Sequence, residues 1–234
     1  MEKIYTSFNE SVSDIFDGAA IMVSGFGGTG GTAQNLILAL RDQGAKNLTI
    51  ISNTAGLASI MGFGTLAGET PVDVGVLIDN GQVGKVIASF PVSPSPSKKN
   101  SFETYYQEGK IELELVPQGT LAERIRAGGS GIPAFYTPTG AGTQVSEGKE
   151  TRDFEGRSYV LETALKSDFA LVKAHKSDPL GNLSYKGTSQ NFGAVMVRST
   201  GISIVEVDEI VDIGEIDSTE IATPALFVDR IVKA

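Results

Sequence analysis

The chain has 234 residues, is 41% hydrophobic, contains no cysteine and carries a formal net charge of -9. Disulfides and cysteine-ligated metals are therefore excluded, and the acidic balance opposes tight binding to nucleic acid, whose affinity comes largely from Lys and Arg neutralising phosphates, as it opposes adhesion to an anionic membrane. A small anionic ligand stays possible, because one pocket can be positive on an acidic protein.

A chain of this length can bury one α/β core, so a single domain over residues 1–234 is expected. Residues 1–10 are polar and the first apolar run, 19–23, is far too short to cross a bilayer, which leads us to expect a cytoplasmic protein. From there the elements follow in order. Asp17-Gly18 reads as a turn before a buried strand at 19–23, and Ser24 to Gly31 as a glycine loop. Thr32 is a candidate cap for a helix with Leu36, Ile37 and Leu40 at helical spacing, stopped by Gly44. Leu48 to Ile51 is a second buried strand, and the βαβ unit implies a parallel sheet. Residues 74–78 fit either a helix or a strand. A strand at 85–89, a surface loop at 91–100, a short helix at 102–109 and a half-buried strand at 112–116 come next. Pro117-Gln118-Gly119 reads as a turn, Leu121 to Ala127 as a helix, and 130–142 as a loop. Arg152 to Leu161 suits a hairpin turning at Glu155-Gly156, and 169–174, 201–207 and 227–232 supply three more strands. The fold class is thus α/β, an open, mostly parallel sheet flanked by helices with short antiparallel additions. Glycine clusters at 25–31, 62–68, 128–131 and 140–142 are expected to form turns around a site.

The loop Ser24-Gly25-Phe26-Gly27-Gly28-Thr29-Gly30 is the strongest local signal. It leaves a strand and opens a helix, a geometry that can turn backbone N–H groups and the positive helix end toward an anion; the bland alternative is a tight turn with no ligand. Gly25, Gly27 and Gly30 match the spacing of a dinucleotide fingerprint, but Ser52-Asn53-Thr54 stands where an acidic ribose ligand belongs, so that reading fails. Asn53 and Gln118 each follow a strand and can donate and accept hydrogen bonds toward a ligand amide, or simply form turns. Ser146-Glu147-Gly148 lies in a charged stretch with no apolar strand before it, and reads as a solvated loop. His175 is the sole histidine and cannot build a histidine-rich metal site. Lys98-Lys99 reads as a solubilising pair, and no GxSxG nucleophile elbow is present.

Taken together, these residues resemble the A (alpha) subunits of family I CoA-transferases, the group with acetate, butyrate-acetoacetate, 3-oxoacid and 3-oxoadipate enzymes. The likeness runs through Asp17-Gly18 and Gly25-Phe26, residues 48–53, Pro117 to Gly129, Gly131 to Gly140, Asp168 to Ala174, Gly181-Asn182-Leu183 and Phe227 to Val232. Ser24, Thr32 and Thr54 stand where the family usually has Gly, Pro and Asn, around the acyl and pantetheine region, and so bear on the choice of substrate. The resemblance implies a ping-pong exchange in which a glutamate of a partner B (beta) subunit, and none of this chain's residues, is the nucleophile. It further implies CoA as cosubstrate with no bound cofactor or metal, short-chain acyl-CoA and carboxylate substrates, and a heterodimer or heterotetramer with its site at the interface between the alpha and beta subunits. It makes loop 24–30 a CoA-binding stretch and sets Asn53 and Gln118 against the pantetheine arm or acyl group. A sugar-phosphate isomerase on the related fold and a non-catalytic CoA-binding module are the alternatives.

Overall fold

A computed structural model describes residues 2–27, 30–61 and 72–234. In chain order its elements are β1 (Ile4–Tyr5), α1 (Phe8–Ser11), β2 (Ala20–Val23), α2 (Gln34–Gln43), β3 (Leu48–Thr54), α3 (Ala58–Met61), α4 (Gly75–Asp79), β4 (Val83–Phe90), α5 (Ser101–Gln107), β5 (Glu112–Leu115), α6 (Gln118–Gly129), β6 (Ala134–Thr137), β7 (Thr151–Phe154), β8 (Arg157–Thr163), β9 (Ser167–Ser177), β10 (Leu183–Ser184), α7 (Gly193–Met196), β11 (Thr200–Ile210) and β12 (Arg230–Lys233).

The main sheet runs β1-β12-β11-β9-β2-β3-β4-β5 with every neighbouring pair parallel, and β10 adds antiparallel to β9. Side chains alternate across a strand, so each buried strand feeds two cores. Ile21, Ile50, Val86 and Leu171 pack on one face with Leu36, Ile37 and Leu40 of α2. Met22, Ile51, Ile87 and Val172 pack on the other with Leu121 and Ile125 of α6 and Met196 of α7. Each such side chain, fully buried, is worth about 1.5–3 kcal/mol. From β2 the chain winds outward through β3, β4 and β5, while β9, β11 and β12 build the other half. The strand order therefore switches direction between β2 and β9, and the crevice beyond the carboxyl ends of two such strands is where open α/β sheets bind ligands.

A second, antiparallel sheet, β6-β8-β7, carries the expected hairpin. Glu155 (φ 51°) and Gly156 (φ 76°) both sit in the left-handed region, as a two-residue hairpin turn requires. Arg124 on α6 ties this sheet to the main one, donating to Glu114 at 2.7 Å and to the Thr163 carbonyl at 2.9 Å.

Several expectations need correction. Thr32 does not cap α2: the helix begins two residues later, after Ala33, and has no cap from that side chain. Gly44 does end it, with φ 89° and its N–H on the Leu40 carbonyl. Gln118 and Gly119 are not a turn but the start of α6, because Pro117 lacks a backbone donor and fits the entry to a helix. Residues 130–142 are not all loop, since 134–137 pair with β8. Phe227 lies in a 3-10 turn ahead of β12. Of the glycine clusters, 62–68 lies outside the described residues. Gly128 and Gly129 close α6 against Leu165, Arg198 and Ser199, beside the start of β9 and β11, which is the edge opposite the crevice. They serve close packing and do not border the site.

Candidate functional site

The glycine loop leaves β2 at the crevice and is locked from three sides. Ser24 is buried, and its hydroxyl donates to the Gly31 carbonyl (2.6 Å) while accepting from the Lys173 amide (3.1 Å), joining both ends of the loop to β9. Gly25 holds φ 127°, and a Cβ there would collide with Thr32 Oγ1. Asn191, from the turn before α7, grips the loop: its Oδ1 accepts from Gly25 N–H (3.3 Å) and its Nδ2 donates to the Gly30 carbonyl (3.1 Å). Phe26 N–H bonds Gly30 O and Gly30 N–H bonds Gly27 O, each within the loop. The amides of Gly25, Phe26 and Gly30 thus have internal acceptors, contrary to the expectation that they turn toward a ligand. Gly28 and Thr29 lie outside the described residues.

The positive end of α2 is likewise filled from within. Glu206 on β11 is buried, and its carboxylate accepts from the amides of Asn35 (2.9 Å) and Leu36 (3.3 Å) and from Asn35 Nδ2 (3.0 Å). Lys173 Nζ neutralises it at 3.3 Å and also meets Asp208 at 2.7 Å, which in turn bonds His175 Nδ1 at 2.9 Å. Burial pushes the Asp208 carboxyl up, but the hydrogen bonds and charges of Lys173 and His175 outweigh it and hold the group below its ordinary value. The single histidine is thereby engaged by a hydrogen bond to Asp208. Among the described residues no group of three or more His, Asp or Glu side chains is placed to hold a metal.

On the other side of the loop opens a cleft of about 420 Å³. Phe26, Leu57, Met61, Phe90 and Pro94 make it apolar, and Asn53 and Gln118 supply its polar centre. Asn53 comes from the end of β3 and Gln118 from the first turn of α6, two elements that end and begin at the same sheet edge. Gln118 Nε2 donates to Asn53 Oδ1 at 2.7 Å. That bond uses one donor and one acceptor, and leaves Asn53 Nδ2 with no partner among the described residues. The pair can donate to a carbonyl and accept from an amide N–H. A smaller cavity of about 20 Å³ adjoins it, between the loop and Asp73. Burial raises the Asp73 carboxyl above its ordinary value, against the pull of the Ala58 (2.8 Å), Gly75 (2.9 Å) and Leu57 amides that it accepts.

Of the residues that the sequence singles out, the cleft gathers Phe26, Gly27, Asn53 and Gln118, whereas Ser24, Gly25 and Gly30 shape the loop behind it. Glu147 is exposed after a 3-10 turn, as expected of a solvated loop, and Lys98 and Lys99 are exposed. Asn191, Glu206, Lys173, Asp73 and Phe90 join the site without any expectation from sequence. For Glu206 a signal exists: it shares the strand parity of Ile204, so it faces the same core as that residue. Asn191 offers none.

A family model described as "Coenzyme A transferase" matches residues 5–234, and the chain belongs to that family. It is 48% identical over 232 residues to the A subunit of the 3-oxoadipate CoA-transferase of Pseudomonas putida, covering 99% of this chain and 94% of that one. It is 42% identical over 249 residues to the mitochondrial succinyl-CoA:3-ketoacid coenzyme A transferase 2A of Rattus norvegicus, covering 99% of this chain and 44% of that one. Among solved structures it matches an acyl-CoA transferase of Escherichia coli O157:H7, crystallised as a thioester complex with CoA, at a TM-score of 0.82 and 22% identity, over 100% of this chain and 50% of that one. That last likeness is one of fold. The chain spans about half the length of the rat and E. coli polypeptides. The Pseudomonas and rat relatives support the transferase reading over the isomerase and the bare binding module. No helix among the described residues is long and apolar enough to cross a membrane.

Proposed function

We propose that this chain is the alpha subunit of a heteromeric CoA-transferase that moves CoA between a short-chain acyl-CoA and a carboxylic acid of the 3-oxoacid type, working with a beta subunit that supplies the nucleophilic glutamate. The observation that carries this reading is the make-up of the 420 Å³ cleft: an apolar wall, one amide pair, and no titratable side chain among the described residues that line it. Such a cleft suits the neutral thioester and pantetheine arm of an acyl-CoA, and its one hydroxyl, on Thr54, has no general base among the described residues that line the cleft. The chain lengths agree, because two single-chain relatives carry as much polypeptide again as this chain contains.

In the proposed reaction the partner's carboxylate attacks the thioester carbonyl and expels CoA as its thiolate, forming an acyl-glutamyl anhydride. The thiolate attacks the glutamyl carbonyl, releasing the first carboxylate and leaving a glutamyl-CoA thioester, from which the acceptor acid then takes CoA. Splitting one exchange into these steps is covalent catalysis, and it gives ping-pong kinetics. Phe26, Gly27, Asn53 and Gln118 contact acyl-CoA in this reading, with Asn53 Nδ2 donating to a carbonyl oxygen. Ser24, Gly25 and Gly30 keep the loop in shape. CoA is a cosubstrate, and the complex is a heterodimer or a dimer of heterodimers, active in the cytoplasm.

The test is a CoA-exchange assay with and without a co-expressed glutamate-bearing beta subunit, across acetate, butyrate, acetoacetate, succinate and 3-oxoadipate. Exchange that requires both chains supports the proposal. Exchange by this chain alone, or by neither arrangement with any of these acids, refutes it.

A further inference from the structure

We propose that Asn191 is a positioning residue for acyl transfer, acting through the glycine loop and not on the substrate. This rests on the transferase reading and adds a role that the cleft itself does not reveal.

The carboxamide of Asn191 is fully used. Oδ1 accepts from Gly25 N–H at 3.3 Å and Phe192 N–H at 2.7 Å; Nδ2 donates to the carbonyls of Gly30 at 3.1 Å and Ser189 at 2.9 Å. Two N–H groups on one side and two carbonyls on the other leave only one orientation of the amide. The bonds to Gly25 and Gly30 join both arms of the loop to a turn that is remote in sequence, while the other two stay within the turn that carries Asn191. The turn also packs directly on the loop: a Cβ on Gly31 would overlap the Ser189 carbonyl and lie 2.5 Å from Asn191 Nδ2.

The backbone of Asn191 has φ 22° and ψ -113°, a conformation that glycine holds more easily than any other residue. Asparagine is therefore strained at this position, and the four hydrogen bonds of its carboxamide offset that strain. Strain of this kind, held by its surroundings, collects where geometry serves function. The geometry indicates how it would serve here. The next residue, Phe192, stacks on Phe26 with ring centroids 6.1 Å apart and planes at 22°, and Phe26 is a wall of the cleft. One residue thus fixes both the loop backbone and the ring that backs the aromatic wall. Small displacements of groups that orient a reacting centre cost rate even when they touch nothing that reacts.

The experiment compares Asn191→Gly and Asn191→Asp with the unaltered chain, each assembled with the beta subunit. Asn191→Gly relieves the backbone and removes all four bonds. Asn191→Asp keeps the two accepted bonds and replaces the two donated ones by a carboxylate oxygen facing the Gly30 and Ser189 carbonyls. We expect Asn191→Gly to keep or raise the Tm while kcat falls at least tenfold and KM for acyl-CoA changes less than threefold, with Asn191→Asp intermediate in kcat. Hydrogen exchange at the Gly25 amide should quicken at least tenfold in Asn191→Gly. Turnover equal to the unaltered complex in Asn191→Gly overturns the proposal. So does a Tm that falls along with kcat in both variants, which makes Asn191 a folding residue only, or Gly25 protection that does not change. If the unaltered complex exchanges no CoA, the transferase reading fails on its own, and the Gly25 measurement still decides whether the clamp exists.

Discussion

The carboxylate of Glu206 accepts the backbone N–H of Asn35 at 2.9 Å, so the helix end nearest the crevice is capped by an acid of the protein itself. The Leu36 amide donates to the same oxygen, and the other oxygen takes Asn35 Nδ2 and the Lys173 ammonium. An anionic ligand seated on this helix end would have to displace a buried carboxylate. Glu206→Gln replaces one acceptor oxygen by an NH₂ that faces other donors, and weakens the pairing with Lys173. We expect a loss of about 2 kcal/mol in denaturant unfolding, in the range for hydrogen bonds to charged groups. A variant as stable as the parent would mean that α2 is held by packing alone.

Gly25 is required by its own backbone and by Thr32. Gly25→Ala places a Cβ at φ 127° and against Thr32 Oγ1. It should lower the Tm and reduce exchange at least tenfold, and Thr32→Ala in the same chain should recover part of the stability by removing the clash but not the strain. A double-mutant cycle measures this coupling directly. Additive effects would show that the two residues do not meet.

Asn53 and Gln118 form the polar centre of the cleft through one hydrogen bond of 2.7 Å. Asn53→Ala removes a donor that has no partner among the described residues, and Gln118→Ala removes the bond that holds it in place. Each should lower kcat/KM by roughly 10- to 100-fold, equal to about 1.4–2.7 kcal/mol of transition-state stabilisation, with unfolding midpoints close to the parent. Unaltered kcat/KM in both variants would take the pair out of the site.

Asp208 gives a pH signature. Its carboxyl lies below the ordinary value in the folded protein, with Lys173 and His175 overcoming the effect of burial. A depressed acid contributes stability that is present above its unfolded value of about 3.9 and is lost as pH falls through that value toward the folded one. Asp208→Asn should therefore be less stable than the parent at pH 7, with the gap closing between about pH 5 and pH 3. Because Asp208 is exposed, the gap is small and shrinks with added salt. A gap that widens between about pH 5 and pH 3 would contradict the assignment.

Much of this architecture is legible from local pattern. The buried strands appear as apolar runs at 19–23, 48–51 and 169–174, the last two of which the structure extends to 48–54 and 167–177; α2 stops at a glycine whose positive φ it needs, and Glu155-Gly156 turns its hairpin. The misses are nonlocal. β1 is two residues long and forms only because β12, at the far end of the chain, lies beside it; β6 depends on β8, a partner beyond an intervening strand. At Gln118 the Pro-Gln-Gly spelling of a turn is overridden, because Leu121 and Ile125 need a helix to reach their core. In the site, the type of loop and the two amide side chains are readable from sequence, but what locks the loop is not. Asn191 reaches the loop, and Glu206 the start of α2 behind it, from the far half of the chain; the Gly25 amide turns to Asn191, and those of Phe26 and Gly30 turn to the loop's own carbonyls.

This polypeptide, in the proposed reaction, walls the acyl-CoA cleft while another supplies the nucleophile. The most direct test is to mix the assembled complex with acyl-CoA, trap the covalent intermediate and weigh each polypeptide by mass spectrometry. The expected result is a CoA thioester on a glutamate of the beta subunit, with the alpha polypeptide unmodified. An adduct on the alpha polypeptide would contradict the proposed division of labour.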